Sequence, residues 1–227
     1  MPDDRLEAVS SLLTVGWLAQ QPEAFRNEVL ARGHVQVFEP GDVVYRIGDP
    51  PGGIYGLLRG TLAISLAPPC STPRFFQFGI IGAWAGEGPF LTGQPRRAEM
   101  RAISRCNLFH VPLDAMERIA AQDPRAARYF ARITVGHFDV LARVIDDLLI
   151  PRADRRIAAV LHRAGWLQSR SIPISQEDLG AMANASRKQV NAALARFERR
   201  GWVVHAYRSI EISDAKALLH FASGIDA

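Results

Sequence analysis

The residues that form turns are distributed very unevenly along this sequence, and this limits the possible folds more than any other feature. Residues 33–95 contain 12 of the 18 glycines and 8 of the 14 prolines. Short segments that are apolar, or that alternate between apolar and polar residues, lie between these turn-formers and just after them. Short strands interrupted by glycine and proline are typical of an antiparallel sandwich or barrel. We therefore predict strands at residues 34–38, 42–47, 54–58, 61–66, 74–80, 97–102 and 107–111, after a helical segment at residues 6–31.

A long segment without turn-formers follows. Between Pro124 and Pro151 there is no proline and a single glycine, Gly136, which predicts one helix of about 26 residues and about 39 Å. Apolar positions spaced alternately by four and three residues are typical of a helix that pairs with a copy of itself. The alternative is a helix that packs on its own domain. A second apolar stripe at Val135, Val140, Val144 and Leu149 would suit a helix that contacts both its own domain and a partner. The predicted dimer seam consists of Ala131, Thr134, Phe138, Leu141, Ile145 and Leu148.

The positive charge of the chain is concentrated in its last third. The formal charge is −1 for residues 1–150 and +5 for residues 151–227. A basic segment beside a nearly neutral one favours a polyanionic partner such as nucleic acid. A solvated basic surface without a partner is the alternative that composition alone leaves open.

The same basic segment contains the pattern of a helix-turn-helix. Ser175 and Ser186 are placed to cap two helices, residues 175–182 and 186–200, and only three residues separate the end of the first from the second cap. That spacing is the length of a helix-turn-helix turn, and Asn184 tolerates its left-handed conformation. Two alternating segments, 202–206 and 209–212, predict a hairpin that would act as a wing, with its turn at Tyr207-Arg208.

Polar and basic side chains lie on the predicted outer face of the second helix, while Val190, Leu194 and Phe197 form its inner face. Arginine pairs with guanine and the side-chain amides of Asn and Gln pair with adenine in the major groove, which the N-terminus of such a helix enters first. The alternative is an ordinary helical hairpin with a solvated basic face. The predicted DNA-binding residues are Ser175, Gln176, Ser186, Arg187, Lys188, Gln189, Asn191 and Arg196.

The order of these segments resembles the CRP/FNR family of bacterial transcription regulators over nearly the whole chain. The specific motifs are FEPGDVVYRIGD at residues 38–49, IYGLLRG at residues 54–60 and the Ser186-Arg187 start of the second helix. The resemblance implies an α+β fold: a β-roll of the jelly-roll type with N-terminal helices (1–123), a dimerisation helix (124–150) and a winged helix-turn-helix domain (151–227). It also implies a homodimer that binds a palindromic operator in double-stranded DNA, contacts RNA polymerase, and relays an effector signal from the roll to the recognition helices.

The resemblance places a phosphate-binding cassette at residues 86–98. Arg96 would pair with a cyclic phosphate and Glu87 would accept the ribose 2′-hydroxyl, so cyclic AMP or cyclic GMP is the implied effector. The chain departs from the cyclic-AMP-responsive activator in several positions: Gly88 replaces Leu or Ile, Arg97 replaces Ser or Ala, and His137 replaces an Arg of the seam helix. Leu141-Ala142 stands where that activator has a Thr-Ser pair. The effector-site residues implied are Gly86, Glu87, Arg96, Arg97, Ala98 and His137.

Several alternatives concern this effector site. A second phosphate-facing arginine, Arg97, would suit a more anionic ligand. Glu87 and Arg96 could instead form a structural ion pair that closes an empty loop. In that case the chain would regulate without a ligand. A separate alternative is a cyclic-nucleotide-binding module that acts through protein contacts.

Other classes of protein are not indicated. Two cysteines exclude a four-cysteine iron–sulfur cluster, and the six histidines include no pair with metal-ligand spacing. No histidine or cysteine lies between residues 71 and 105, so we expect no haem. We see no nucleophile–base set or P-loop and expect no enzyme. No apolar run could span a bilayer and the acidic start is not a signal peptide, so we expect a soluble, cytoplasmic protein without a membrane partner.

Overall fold

The computed structural model describes residues 9–67, 71–165, 171–206 and 209–224. By its internal contacts the chain divides into two units, residues 1–73 with 79–139 and residues 74–78 with 140–227. The α+β class with an N-terminal antiparallel roll is confirmed, whereas the domain boundaries at residues 123 and 150 stay a prediction.

The strands and helices up to residue 122 follow the predicted order closely. Helix α1 covers residues 9–14, and a 3-10 turn at Leu18–Gln20 precedes α2. Two elements were not predicted, the two-residue strand β6 and helix α4, whereas the short helix α3 lies after Gly86, where the cassette is expected to have one. The elements are α2 Glu23–Arg32, β1 His34–Phe38, β2 Val43–Tyr45, β3 Ile54–Arg59, β4 Leu62–Leu66, β5 Arg74–Gly79, β6 Trp84–Ala85, α3 Gly88–Thr92, β7 Ala98–Ala102, β8 Cys106–Val111 and α4 Leu113–Gln122.

Antiparallel pairing builds the roll. One sheet has the strand order β1-β8-β3-β6, and in the other β7 pairs with both β2 and β4. Tyr45, Leu57, Met100 and Leu108 are buried together between the strands. Because alternate strand residues face opposite sides of a sheet, this apolar interior fixes the register of the strands.

Helix α5, Ala126–Leu149, is the predicted long helix. Its first half is buried in the first unit through Ala126, Phe130 and Ile133, and the Phe130 ring lies 5.2 Å from that of Phe25. Of the second apolar stripe, Val144 is buried, whereas Val135 is 61% exposed and Leu149 is 73% exposed. The helix turns a different face toward its own unit because the buried positions lie at 126, 130 and 133.

The second unit contains the predicted helix pair and hairpin. Its three-stranded sheet has the order β10-β11-β9, of which β9 was not predicted, nor was the last helix. The predicted wing turn at Tyr207-Arg208 lies outside the described residues. Among the described residues, no helix combines the length and the apolarity needed to cross a membrane. The elements are α6 Ala153–Ala164, β9 Ser171–Ile172, α7 Gln176–Met182, α8 Arg187–Arg199, β10 Val203–Ala206, β11 Ser209–Ile212 and α9 Ala215–Ser223.

Candidate DNA-binding and effector sites

Two serine caps fix the start of α7 and the start of α8. The Ser175 hydroxyl accepts a hydrogen bond from the Asp178 amide at 3.0 Å. The Ser186 hydroxyl accepts from the Gln189 amide, and Oε1 of Gln189 accepts from the Ser186 amide at 2.9 Å, which completes a capping box. Asn184, in the turn between the helices, has the left-handed φ of 45° that its side chain tolerates. Ser175, Ser186 and Gln189 thus position the two helices.

The outer face of α8 carries exposed polar side chains at its first turns. Arg187, Lys188 and Asn191 are exposed, while Val190, Leu194 and Phe197 are buried as predicted. A groove beside this face is lined by Gln176, Glu177, Gly180, Ala185 and Arg187. The amide of Gln176 also lies 3.3 Å from His205 of β10. This arrangement exposes donors and positive charge at the N-terminal end of a helix that is well anchored from behind.

Arg196 is less exposed than Arg187, Lys188 and Asn191. Its Nη1 donates to Oδ2 of Asp154 at 3.0 Å, and its guanidinium lies 4.7 Å from the centre of the Phe221 ring. Asp154 also pairs with Arg152 at 2.7 Å. The positive charge of Arg196 is therefore already paired within the second unit, which sets it apart from Arg187 and Lys188.

Arg156 is a positioning residue that sequence reasoning missed. It donates from Nε to the Ala183 carbonyl at 2.7 Å and from Nη2 to the Asn184 carbonyl at 2.9 Å. Its Nη1 donates to the carbonyls of Ile150 and Pro151 at 2.8 and 3.0 Å. One guanidinium thus connects the turn of the helix-turn-helix to the segment that follows α5. The one signal in the sequence is the residue type, because an arginine side chain has several N–H donors in one plane and can bind several carbonyls at once.

Arg163, equally unpredicted, is almost fully buried. Its Nε donates to Oδ2 of Asp147 at 2.9 Å, and its Nη1 donates to Oε1 of Gln77 at 2.6 Å and to the Phe76 carbonyl at 3.1 Å. Asp147 lies on α5 and Arg163 on α6, so this ion pair holds the two helices together within the second unit. A buried ion pair of this kind fixes geometry more than it adds stability.

The cassette of the roll is built around Arg96, which is 5% exposed. Its guanidinium donates to the Gly86 carbonyl at 2.9 Å and to the Gly53 carbonyl at 2.8 Å. It also lies 4.3 Å from the centre of the Tyr45 ring. Gly86 has a φ of +105°, and a Cβ at this position would lie 2.5 Å from Nη1 of Arg96, so the position requires glycine.

Glu87 faces helix α5. Oε1 of Glu87 accepts from the Thr134 hydroxyl at 2.8 Å and lies 3.2 Å from Nδ1 of His137. Nε2 of His137 lies 3.0 Å from the Trp84 carbonyl. Burial raises the pKa of Glu87, but the contacts with His137 and Thr134 outweigh burial and hold this pKa below its ordinary value of 4.5. Glu87 is therefore a buried carboxylate tied to the helix.

This geometry corrects two of the sequence-based hypotheses. Glu87 and Arg96 do not pair with each other, because Glu87 turns to α5 and Arg96 turns to the two carbonyls. Arg97 does not face the cassette either: it is exposed and hydrogen-bonded to Gln94. Successive residues of an extended chain point to opposite sides, so an inward Arg96 places Arg97 outward. Ala98 begins β7 and packs against the roll interior.

The predicted dimer seam is partly exposed. Phe138 is 69%, Ile145 59% and Leu148 41% exposed, whereas Ala131 and Leu141 are half-buried. Thr134 uses its hydroxyl for Glu87 and so contributes to the roll contact as well. Within the described residues, no three His, Cys, Asp or Glu side chains lie close enough together to hold a metal ion.

Comparisons with known proteins agree with this geometry in both halves of the chain. Residues 35–123 match the cyclic nucleotide-binding domain, and residues 155–221 match the Crp-like helix-turn-helix domain. The CRP-like cAMP-activated global transcriptional regulator of Mycobacterium tuberculosis is 24% identical over 189 residues, which cover 80% of this chain and 84% of that protein.

Two further proteins are similar to parts or to the fold of this chain. The human potassium/sodium hyperpolarization-activated cyclic nucleotide-gated channel 3 is 28% identical over 117 residues, covering 52% of this chain and 14% of the channel. The c-di-GMP-responsive global regulator CLP of Xanthomonas campestris has the same fold, with a TM-score of 0.67 and 18% identity over 84% of this chain and 99% of that chain. A cyclic nucleotide-binding domain and a Crp-like helix-turn-helix domain thus follow one another in a single chain, and the protein belongs to the CRP/FNR family of transcription regulators.

Proposed function

We propose that the protein acts as a homodimer whose two α8 helices bind a palindromic operator in double-stranded DNA. The observation that carries this proposal is the capped N-terminus of α8 with Arg187, Lys188 and Asn191 exposed. These side chains have the chemistry to reach base edges and phosphates in the major groove. The proposal also includes action in the cytoplasm, contact with RNA polymerase and a role without catalysis.

The test of DNA binding is a fluorescence anisotropy titration with a duplex that the protein selects from a random library. We expect Arg187→Ala and Lys188→Ala to weaken binding about tenfold or more each, since a good base contact contributes about 1–3 kcal/mol. Affinity should also fall steeply with added salt. The matched control is Arg118→Ala, which removes an exposed arginine of α4. Wild-type affinity in both α8 variants would contradict the proposal.

We propose that the second copy covers the apolar stripe of α5. Phe138, Ile145, Leu148 and Leu149 form an exposed stripe along this helix, and exposed apolar area of this kind is typical of an interaction surface. Two recognition helices related by two-fold symmetry would then meet successive major grooves, about 34 Å apart.

We propose a cyclic nucleotide as the effector of the roll. The match to a cyclic nucleotide-binding domain supports this, as does the similarity to a mycobacterial regulator that is described as cAMP-activated. Arg96 would bind the phosphate through the guanidinium N–H groups that do not donate to the Gly86 and Gly53 carbonyls. Glu87 would accept a hydrogen bond from a ribose hydroxyl. The site residues of this proposal are Gly86, Glu87, Arg96 and His137, without Arg97.

Calorimetry with cyclic AMP and cyclic GMP tests the effector proposal. We expect micromolar binding of one of them in the wild type and its loss in Arg96→Ala, with Arg97→Ala unchanged because this side chain faces outward. No heat with either nucleotide, in a protein that still binds DNA, would contradict the cyclic-nucleotide proposal and favour regulation without such a ligand.

A further inference from the structure

His137 lies between two oxygen atoms of its own unit. Nδ1 lies 3.2 Å from Oε1 of Glu87, and Nε2 lies 3.0 Å from the backbone oxygen of Trp84. A neutral imidazole has one N–H and one lone pair, so it could donate to only one of these oxygens and would turn its lone pair toward the other. The imidazolium has two N–H groups and suits both neighbours at once.

The electrostatic surroundings favour the same protonation state. Glu87, from the loop between β6 and α3, is the charged group in contact with the ring, and it is itself 4% exposed. The residues three and four positions away on α5 carry no charge; they are Ile133, Thr134, Val140 and Leu141.

Two further ionisable groups, Arg96 and Tyr45, interact electrostatically with each other near Glu87. Arg96 donates to backbone carbonyls rather than to the carboxylate. Burial raises the pKa of the Tyr45 hydroxyl, so this side chain stays neutral. The positive charge nearest to the Glu87 carboxylate is therefore that of the His137 imidazolium.

We propose that protonated His137 is a positioning residue that links helix α5 to the segment of the roll formed by residues 84–87, and that loss of its proton breaks one of its two contacts and so weakens this link. Thr134 and His137 both reach Oε1 of Glu87, while no side chain of the described residues donates to Oε2. The link thus orients the Glu87 carboxylate, which the proposed function assigns to effector binding. The effect of the link on ligand binding therefore rests on the proposed function. The imidazole of a histidine such as His137 gains and loses a proton near neutral pH.

The sign of the pH dependence follows from the contacts. Burial alone would lower the pKa of His137, yet the Glu87 carboxylate and the Trp84 carbonyl raise it above its ordinary value of 6.5. The stabilisation is therefore complete below pH 6.5 and is lost as the pH rises through the raised pKa. The side chain keeps 45% of its surface exposed in the single chain, so its proton exchanges directly with solvent.

An NMR titration of the full-length protein measures this directly. The His137 C–H signal is assigned by its disappearance in His137→Arg. We expect its midpoint above pH 6.5, and we expect Glu87→Gln to shift the midpoint down by about one unit, a tenfold loss of proton affinity. A midpoint at or below 6.5 in the wild type, or one that Glu87→Gln leaves unchanged, would overturn the proposal.

A second measurement separates a proton-dependent link from a merely structural role. We expect the wild type to lose several degrees of melting temperature between pH 6 and pH 8.5 relative to His137→Arg, which keeps its positive charge over this range. His220→Gln, which removes an exposed histidine of α9, should follow the wild type. If His137→Arg instead follows the wild type, the proposal fails. Neither measurement uses DNA or an effector, so failure of the proposed function is recognised separately.

Discussion

Single arginines do much of the positioning in this protein, and Arg156 is the clearest case. Its guanidinium holds four backbone carbonyls, two in the helix-turn-helix turn and two after α5. Composition and periodicity assign such a residue to a solvated basic face. Its actual partners are backbone atoms far apart in sequence, which no local pattern encodes.

Replacing this guanidinium should therefore destabilise the second unit. We expect Arg156→Ala to lower the free energy of unfolding by about 2 kcal/mol, because charged hydrogen bonds are lost and their acceptors are left unpaired. Urea denaturation measures the change. The control is Arg199→Ala, whose side chain is exposed and, among the described residues, bonds to the Ala195 carbonyl of its own helix. Equal stability of the two variants would show that Arg156 does not hold the turn.

The cassette shows which residue roles a sequence can and cannot predict. The sequence correctly marked Gly86, Glu87, Arg96 and His137 as neighbours, because the resemblance places them in one cassette and on the facing helix. It failed for Arg97, which lies just before β7 and whose exposed side chain is hydrogen-bonded to Gln94. It also gave no sign that Glu87 turns toward α5, where Thr134 and His137 contact its carboxylate.

At the scale of elements, helix caps and turn residues were the most informative signals. Ser175, Asn184 and Ser186 all have the predicted conformations or hydrogen bonds. Strands were located well because glycine and proline bound them. Among the elements that were missed, strands β6 and β9 have two residues each and are too short for any periodicity to appear.

The cap of α8 yields a prediction for the recognition surface. Ser186→Ala removes the hydroxyl that accepts from the Gln189 amide, and we expect a loss of about 1 kcal/mol in stability. DNA affinity should fall as well, because Arg187 and Lys188 lie in the turn that would fray. The comparable cap variant Ser175→Ala should cost similar stability but less DNA affinity. Denaturation and anisotropy measurements on both variants distinguish the two effects.

Helix α5 gives a second prediction at this scale. Phe138→Asp places a charge in the exposed apolar stripe, and we expect a monomer at micromolar concentration, measured by analytical ultracentrifugation. Ala121→Asp adds the same charge at an exposed position of α4 and should leave the dimer intact. A Phe138→Asp protein that remains dimeric would rule out this stripe as the dimer seam.

At the scale of the whole molecule, the sequence predicted the order of architectures but not how α5 divides its contacts. Its residues up to 139 group with the first unit and its later residues with the second. The alternating spacing of four and three residues identified an apolar stripe on α5. It did not show which turns of the helix are buried by other residues of the same chain. That distribution follows from the aromatic cluster around Trp17, Phe25 and Phe130, which joins residues distant in sequence.

The proposed function requires two copies of α8 to bind one DNA duplex together. Hydroxyl-radical footprinting on a selected operator tests this most directly. We predict two protected patches related by two-fold symmetry, with centres about 34 Å apart along the duplex, and the loss of both in Arg187→Ala. A single unsymmetrical patch, or a footprint that Arg187→Ala leaves intact, would contradict the account.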